Sequence, residues 1–191
     1  MHKGFARKII FLDVDGVINL SPERFQSFNK NALAQLQRII DSTGAKIVVS
    51  SSWRTSNTER MKSSLIGNGF TKELWSSVIG ITERGYNYVI KGSNFPLVRG
   101  NEIKHYVDTR IRYPWHTQPE LSEIYTKRNE DGSFKIMDSN EKGVDFQYVI
   151  LDDDTDMLLE QKDNFLRTFQ TTGITERIAN KAIKILNSID K

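Results

Sequence analysis

Two groups of carboxylates hold most of the chemistry available to this chain. The first is Asp13-Val14-Asp15-Gly16, directly after the apolar run Ile9-Ile10-Phe11-Leu12. The second is Asp152-Asp153-Asp154, directly after Tyr148-Val149-Ile150-Leu151. Four apolar residues without polar alternation read as a strand buried on both faces, as in the middle of a parallel sheet. Alternation along an extended chain points Asp13 and Asp15 to one side, and Gly16 lets the chain turn sharply away. At the carboxyl end of a central strand, such acids stand where open α/β sheets keep their ligands. They repel one another unless a cation separates them, and a hard divalent ion such as Mg2+ meets that need. A strand followed by an ordinary acidic turn is the plainer alternative.

Further polar groups fall where other predicted elements begin or end. Lys46-Ile47-Val48-Val49 runs into Ser50-Ser51-Ser52-Trp53-Arg54, and Arg99 opens a predicted helix with Lys104 beyond it. If the strands are parallel, these groups and both acidic clusters meet at one edge of the sheet. Together they supply a carboxylate nucleophile, a second acid, a hydroxyl, a cation and metal-binding carboxylates. Each has a role in moving a phosphoryl group: metal and cation balance the phosphate's charge, while hydroxyl and backbone amides fix its oxygens.

The elements that must position these groups alternate. A helix capped by Asn29 carries Leu33, Leu36 and Ile40 on one face and ends at Gly44. With the strands on either side it forms a βαβ unit of about 45 residues, whose strands should be parallel. Residues 58–66 form a second helix with Met61 and Leu65 inward, stopped by Gly67-Asn68-Gly69, and residues 78–81 a third strand. Asn19 to Phe28 reads as a polar loop, and Asn94-Phe95-Pro96 as another loop. A helix over 101–112 presents Ile103, Val107 and Ile111, and a strand is expected at 165–169. A last helix over 175–189 carries Ile178, Ala182, Ile185 and Ile189. About thirty-five residues before the 148 strand exceed what a crossover needs. Within this insertion, about 113–146, residues 123–128 and 133–137 flank Asp131-Gly132 as a β-hairpin would.

Bulk properties narrow the class. The 191 residues suit one domain over 1–191, and a formal charge of +3 with interleaved signs does not announce a nucleic-acid binder. The absence of cysteine excludes disulfides, thiolate zinc sites and a cysteine nucleophile. His2, His105 and His116 show no ligand spacing. The start leaves no room for a signal peptide, and no apolar run approaches a membrane span, so a cytoplasmic protein without a membrane partner is expected. No pattern specifies an oligomeric state.

The order and spacing of these motifs resemble the haloacid dehalogenase (HAD) superfamily, from Ile9 to about Met157. The resemblance implies a three-layer Rossmann-like α/β fold, a central, mostly parallel sheet with helices on both faces, with the hairpin as a small insertion. It implies a Mg2+-dependent phosphatase with Asp13 as nucleophile, forming an aspartyl-phosphate, and Asp15 as general acid and base. The ion would be held by Asp13, the backbone carbonyl of Asp15, Asp153 and the adjacent Asp152, with Gly16 beside the phosphate. Ser50, Ser51 and Ser52 compete for the hydroxyl role, Ser51 first and Ser50 next. Arg99 fits the cation role better than Lys104, which is otherwise a solvated helix residue. Arg54 either forks onto a phosphate or is a surface arginine packed on Trp53.

Ser-Ser-Trp-Arg together with Leu-Asp-Asp-Asp is most similar to the small phage and bacterial HAD branch of nucleic-acid repair contexts, which would place a phage-encoded copy in the host cytoplasm. The predicted cap segments are short, and an open site suits a phosphorylated nucleic-acid end or a nucleotide. Tyr113, Trp115, His116, Tyr125, Lys127 and Arg128 of the insertion add the aromatic and basic mixture that single strands favour. Two other readings compete. A receiver-like phosphoaspartate module would not end its second strand in serines, and a nucleotide-sugar transferase using Asp-x-Asp would not explain residues 152–154.

Overall fold

The computed structural model describes residues 7–21, 27–55, 57–84, 88–90, 93–95, 98–112 and 145–190. Its centre is a five-stranded, all-parallel sheet in the order β3-β2-β1-β6-β7. The strands are β1 (Lys8–Leu12), β2 (Lys46–Val49), β3 (Val78–Ile81), β6 (Gln147–Asp152) and β7 (Phe165–Arg167). β4 (Tyr88–Ile90) and β5 (Ser93–Phe95) pair antiparallel in a separate two-stranded sheet. The strand order reverses direction between β1 and β6, and that switch point is where open α/β sheets form a ligand crevice.

β1 lies in the middle because both of its faces are apolar. Ile10 and Leu12 belong to one core, with α1 (Lys30–Thr43), α2 (Thr58–Gly67), α3 (Lys72–Ser76) and α5 (Glu176–Leu186) contributing Leu36, Leu65, Leu74 and Ala182. Ile9 and Phe11 belong to the other, with Ile103 of α4 (Arg99–Tyr106) and Val107 and Ile111 of the π-helical turn that continues it, Val107–Arg112. Helices therefore cover both faces of the sheet. This is the three-layer α/β arrangement expected from the sequence.

Local chemistry explains the helix ends that were legible. Asn29 accepts a hydrogen bond from the Ala32 amide at 3.0 Å, and Gly44 closes α1 in the left-handed region at φ 68°. Several expectations are corrected. The loop after β1 is not simply polar: Leu20 and Phe28 at its described ends are buried. Asn94 and Phe95 are in β5 rather than in a loop, and α3 was not foreseen. The helix expected over 101–112, with Arg99 at its opening, divides into α4 from Arg99 and the π-helical turn that follows it. The last strand stops at Arg167, and α5 buries Leu186 in addition to the predicted stripe, whose Ile185 packs partly buried against the core. The expected hairpin at 123–137, with most of the insertion, lies outside the described residues.

Candidate active site

Asp13 follows β1 by one residue, and its amide donates to the Leu151 carbonyl of β6 at 3.0 Å, so the two acidic loops leave the sheet side by side. As a result Asp13, Asp152 and Asp153 each bring a carboxylate oxygen to within 4.8 Å of the others. Gly16 makes this approach feasible. It turns at φ 72°, and the space a Cβ would fill is taken by the Asp153 carboxyl group.

The electrostatics of the cluster follow from burial. Asp152 is wholly buried at the end of β6, and burial together with repulsion from Asp13 pushes its pKa up to about 7. Burial also raises Asp13, against the opposing pull of Arg99 and a hydrogen bond with Ser51. Arg99 reaches both acids through Nη1, at 3.2 Å from Asp13 and 3.4 Å from Asp152. Burial works against its charge, but the Asp13 and Asp152 carboxylates outweigh that and hold the guanidinium above its ordinary value. Arg99 thus bridges two of the three clustered carboxylates. An excess of negative charge, all on hard oxygen donors, is the donor set that suits Mg2+.

Asp15 stands apart from the three. One of its oxygens accepts from the Asn19 side-chain amide at 2.5 Å and the other from the Trp53 indole N–H at 3.0 Å. Trp53 in turn packs edge-on against Phe28, ring centroids 5.4 Å apart. Neither Asn19 nor Trp53 was among the predicted site residues: Trp53 stood in the Ser-Ser-Trp-Arg motif without a role of its own, and nothing in the spacing of Asn19 flagged it.

The three serines part company. Ser51 is buried and bonds to Asp13, while its Oγ accepts from the Trp53 amide at 3.2 Å. Ser50 is buried with an Oγ that has no partner among the described residues. Ser52 is exposed, and its carbonyl accepts from Arg84 at 2.9 Å. Arg54 is not a surface arginine. It is buried, donates Nη1 to the Ser50 carbonyl, and pairs through Nη2 with Glu102 of α4 at 2.5 Å. Its charge is spent inside the protein, with burial lowering its pKa against the pull of Glu102.

Lys104 is not drawn to the acidic cluster. It pairs with Asp108 at 3.1 Å and Glu160 at 3.2 Å, because five residues past Arg99 is about 1.4 helical turns and puts it on a different face, towards the 3-10 turn Leu159–Gln161. Asp156, the spare acid near the second cluster, caps α4 instead: its Oδ2 accepts from the Arg99 amide at 2.8 Å. Gly100 lies against the Leu158 backbone, where a Cβ would stand 2.6 Å from the Leu158 nitrogen. Gln161 locks this contact, donating to the Gly100 carbonyl at 2.8 Å and accepting from Leu158 at 2.9 Å.

Comparison with known families agrees with this geometry. Residues 9–119, more than half of the chain, match the family described as the HAD domain in Swiss Army Knife RNA repair proteins. The chain belongs to that family. The relationship supports a HAD-type phosphohydrolase in general, on a Rossmann-like sheet. No curated protein and no solved structure matches the chain. No helix among the described residues is long and apolar enough to cross a membrane.

Proposed function

We propose that this chain is a Mg2+-dependent phosphatase that removes a phosphomonoester from a nucleic-acid end or a nucleotide through an aspartyl-phosphate on Asp13. The observation that carries this reading is the cluster of Asp13, Asp152 and Asp153, the first two buried and both paired with Arg99. An Asp13 oxygen forms a bond to phosphorus as the bond to the leaving alcohol breaks. Asp15 gives its proton to the departing oxygen, then takes one from the water that hydrolyses the aspartyl-phosphate. Arg99 offsets charge on the transferring group, and the Ser51 hydroxyl orients the Asp13 carboxylate. Mg2+ held by Asp13, Asp152, Asp153 and the Asp15 carbonyl would supply further neutralisation of the phosphate oxygens.

Two observations favour a nucleic-acid substrate. The family's description names RNA repair proteins, and the insertion carries Tyr113, Trp115, His116, Tyr125, Lys127 and Arg128. The test is phosphate release from p-nitrophenyl phosphate and from 3′- and 5′-phosphorylated oligoribonucleotides, with and without Mg2+. Asp13→Asn should lower turnover on the order of 10³-fold or more. It should keep the fold, because burial already disfavours charge at that position. Retained activity in Asp13→Asn would sink the covalent mechanism, and activity indifferent to chelation would remove the metal.

A further inference from the structure

We infer that Phe169 is a stacking platform for a nucleobase carried by the phosphorylated substrate. This rests on the phosphatase reading above and names the side chain that takes the substrate's base. Phe169 follows β7 by two residues and is 60% exposed. The backbone beneath it is anchored. The Thr168 amide donates to the Asp152 carbonyl at 2.9 Å, and the buried Thr168 hydroxyl donates to the Gly16 carbonyl at 2.9 Å. On the other side, the Phe169 carbonyl accepts from the Thr172 and Gly173 amides at 3.0 and 2.8 Å, and the Gln170 carbonyl from Ser21 at 2.8 Å. A segment bonded to both acidic loops thus holds a bare aromatic ring at the rim of the site.

Arg167 joins the ring to the cluster. Its Nε donates to the Asp153 carbonyl at 3.2 Å, and its guanidinium carbon lies 5.7 Å from the Phe169 ring centroid. The ring therefore sits one guanidinium away from the backbone of an acid in the triad. A single exposed apolar side chain needs no explanation. Here the chain exposes an aromatic ring with a cation against it, at the carboxyl edge of β7 beside the site. Ile79, Val98 and Leu159, the other large exposed apolar residues among those described, offer no π face. Nucleobases stack on such rings and on guanidinium planes, and the same cation attracts phosphate. Residues 167–169 lie beyond the matched stretch 9–119, so the family relationship does not itself imply this pair.

The probes are adenosine 5′- and 3′-monophosphate, with ribose 5-phosphate as the base-free control. Calorimetry with Mg2+ on the full-length Asp13→Asn protein measures binding, and wild-type kcat/KM measures turnover. At least one mononucleotide should bind about 10-fold more tightly than ribose 5-phosphate. Phe169→Ala should abolish that preference while leaving ribose 5-phosphate binding and the circular dichroism unchanged, and Phe169→Trp should retain it. The inference is overturned if neither mononucleotide outbinds ribose 5-phosphate, or if the preference survives Phe169→Ala. Asp13-dependent hydrolysis without a base preference would sink the stacking role alone. A base preference lost in Phe169→Ala, in a protein that hydrolyses nothing, would sink the phosphatase reading and leave the platform standing.

Discussion

Asp15 accepts a hydrogen bond on each carboxylate oxygen, from Asn19 and from Trp53, and each oxygen keeps a second lone pair. Two fixed donors set the direction of the carboxylate, so Trp53 and Asn19 act as positioning residues for the proposed proton transfer. Trp53→Phe removes the N–H while keeping an aromatic ring against Phe28. A misaimed acid matters most when the leaving group needs a proton. The expected loss in kcat/KM is therefore on the order of 10–100-fold for glycerol phosphate and under about 3-fold for p-nitrophenyl phosphate. Equal losses on both substrates would make Trp53 a structural support. At this scale the sequence was informative where an acid follows an apolar run, because strand direction alone delivers Asp13 and Asp152 to one edge. It was uninformative where a side chain has several partners to choose from. Spacing could not tell that Arg54 would turn inward to Glu102, or that Lys104 would pair with Asp108 and Glu160.

Helix α4 is the element that converts sequence-distant groups into one site. Asp156 caps its first turn, Gln161 clasps Gly100, and Glu102 takes the buried Arg54, which itself holds the Ser50 carbonyl. The loop carrying Ser51 and the helix carrying Arg99 are thereby tied across the sheet. Removing one partner of a buried pair strands the other charge, so Glu102→Leu should destabilise the fold by roughly 3–5 kcal/mol. The double variant Arg54→Met with Glu102→Leu should recover much of that loss in a denaturant titration. If the two single losses simply add, the pair does not couple loop to helix. Apolar periodicity alone starts this helix at 101 rather than at Arg99, and Val98 makes no side-chain capping bond to mark the earlier start. Its cap comes from Asp156, a residue no local pattern connects to it. The β4–β5 hairpin was missed for a similar reason: only Lys91-Gly92 stands between its strands, and short runs carry little periodicity.

At the scale of the whole molecule, the site is a charge problem that the fold leaves partly unsolved. The βαβ pattern predicted a parallel sheet correctly, since apolar runs of four residues are too short for buried helices and suit strands covered on both faces. That same packing buries Asp152 at the end of a central strand, where water cannot screen it. Burial raises Asp152 from an ordinary 3.8 to about 7, and raises Asp13 as well, while Arg99 offsets only part of the repulsion. Between about pH 4 and pH 7 the folded state keeps protons that the unfolded chain has released, so stability falls as pH rises through that window. The metal-free protein should therefore melt several degrees lower at pH 8 than at pH 5.5, a difference on the order of a few kcal/mol. Mg2+ binds the ionised acids, so it should raise the melting temperature strongly at pH 8 and little at pH 5.5. Asp152→Asn should flatten the pH dependence and blunt the Mg2+ effect together. Differential scanning calorimetry at the two pH values, with Mg2+ or with chelator, checks all three. A melting temperature that rises with pH in chelator would mean that Asp13 and Asp152 are stabilised as anions by the fold itself, and would remove the excess charge on which the metal assignment rests.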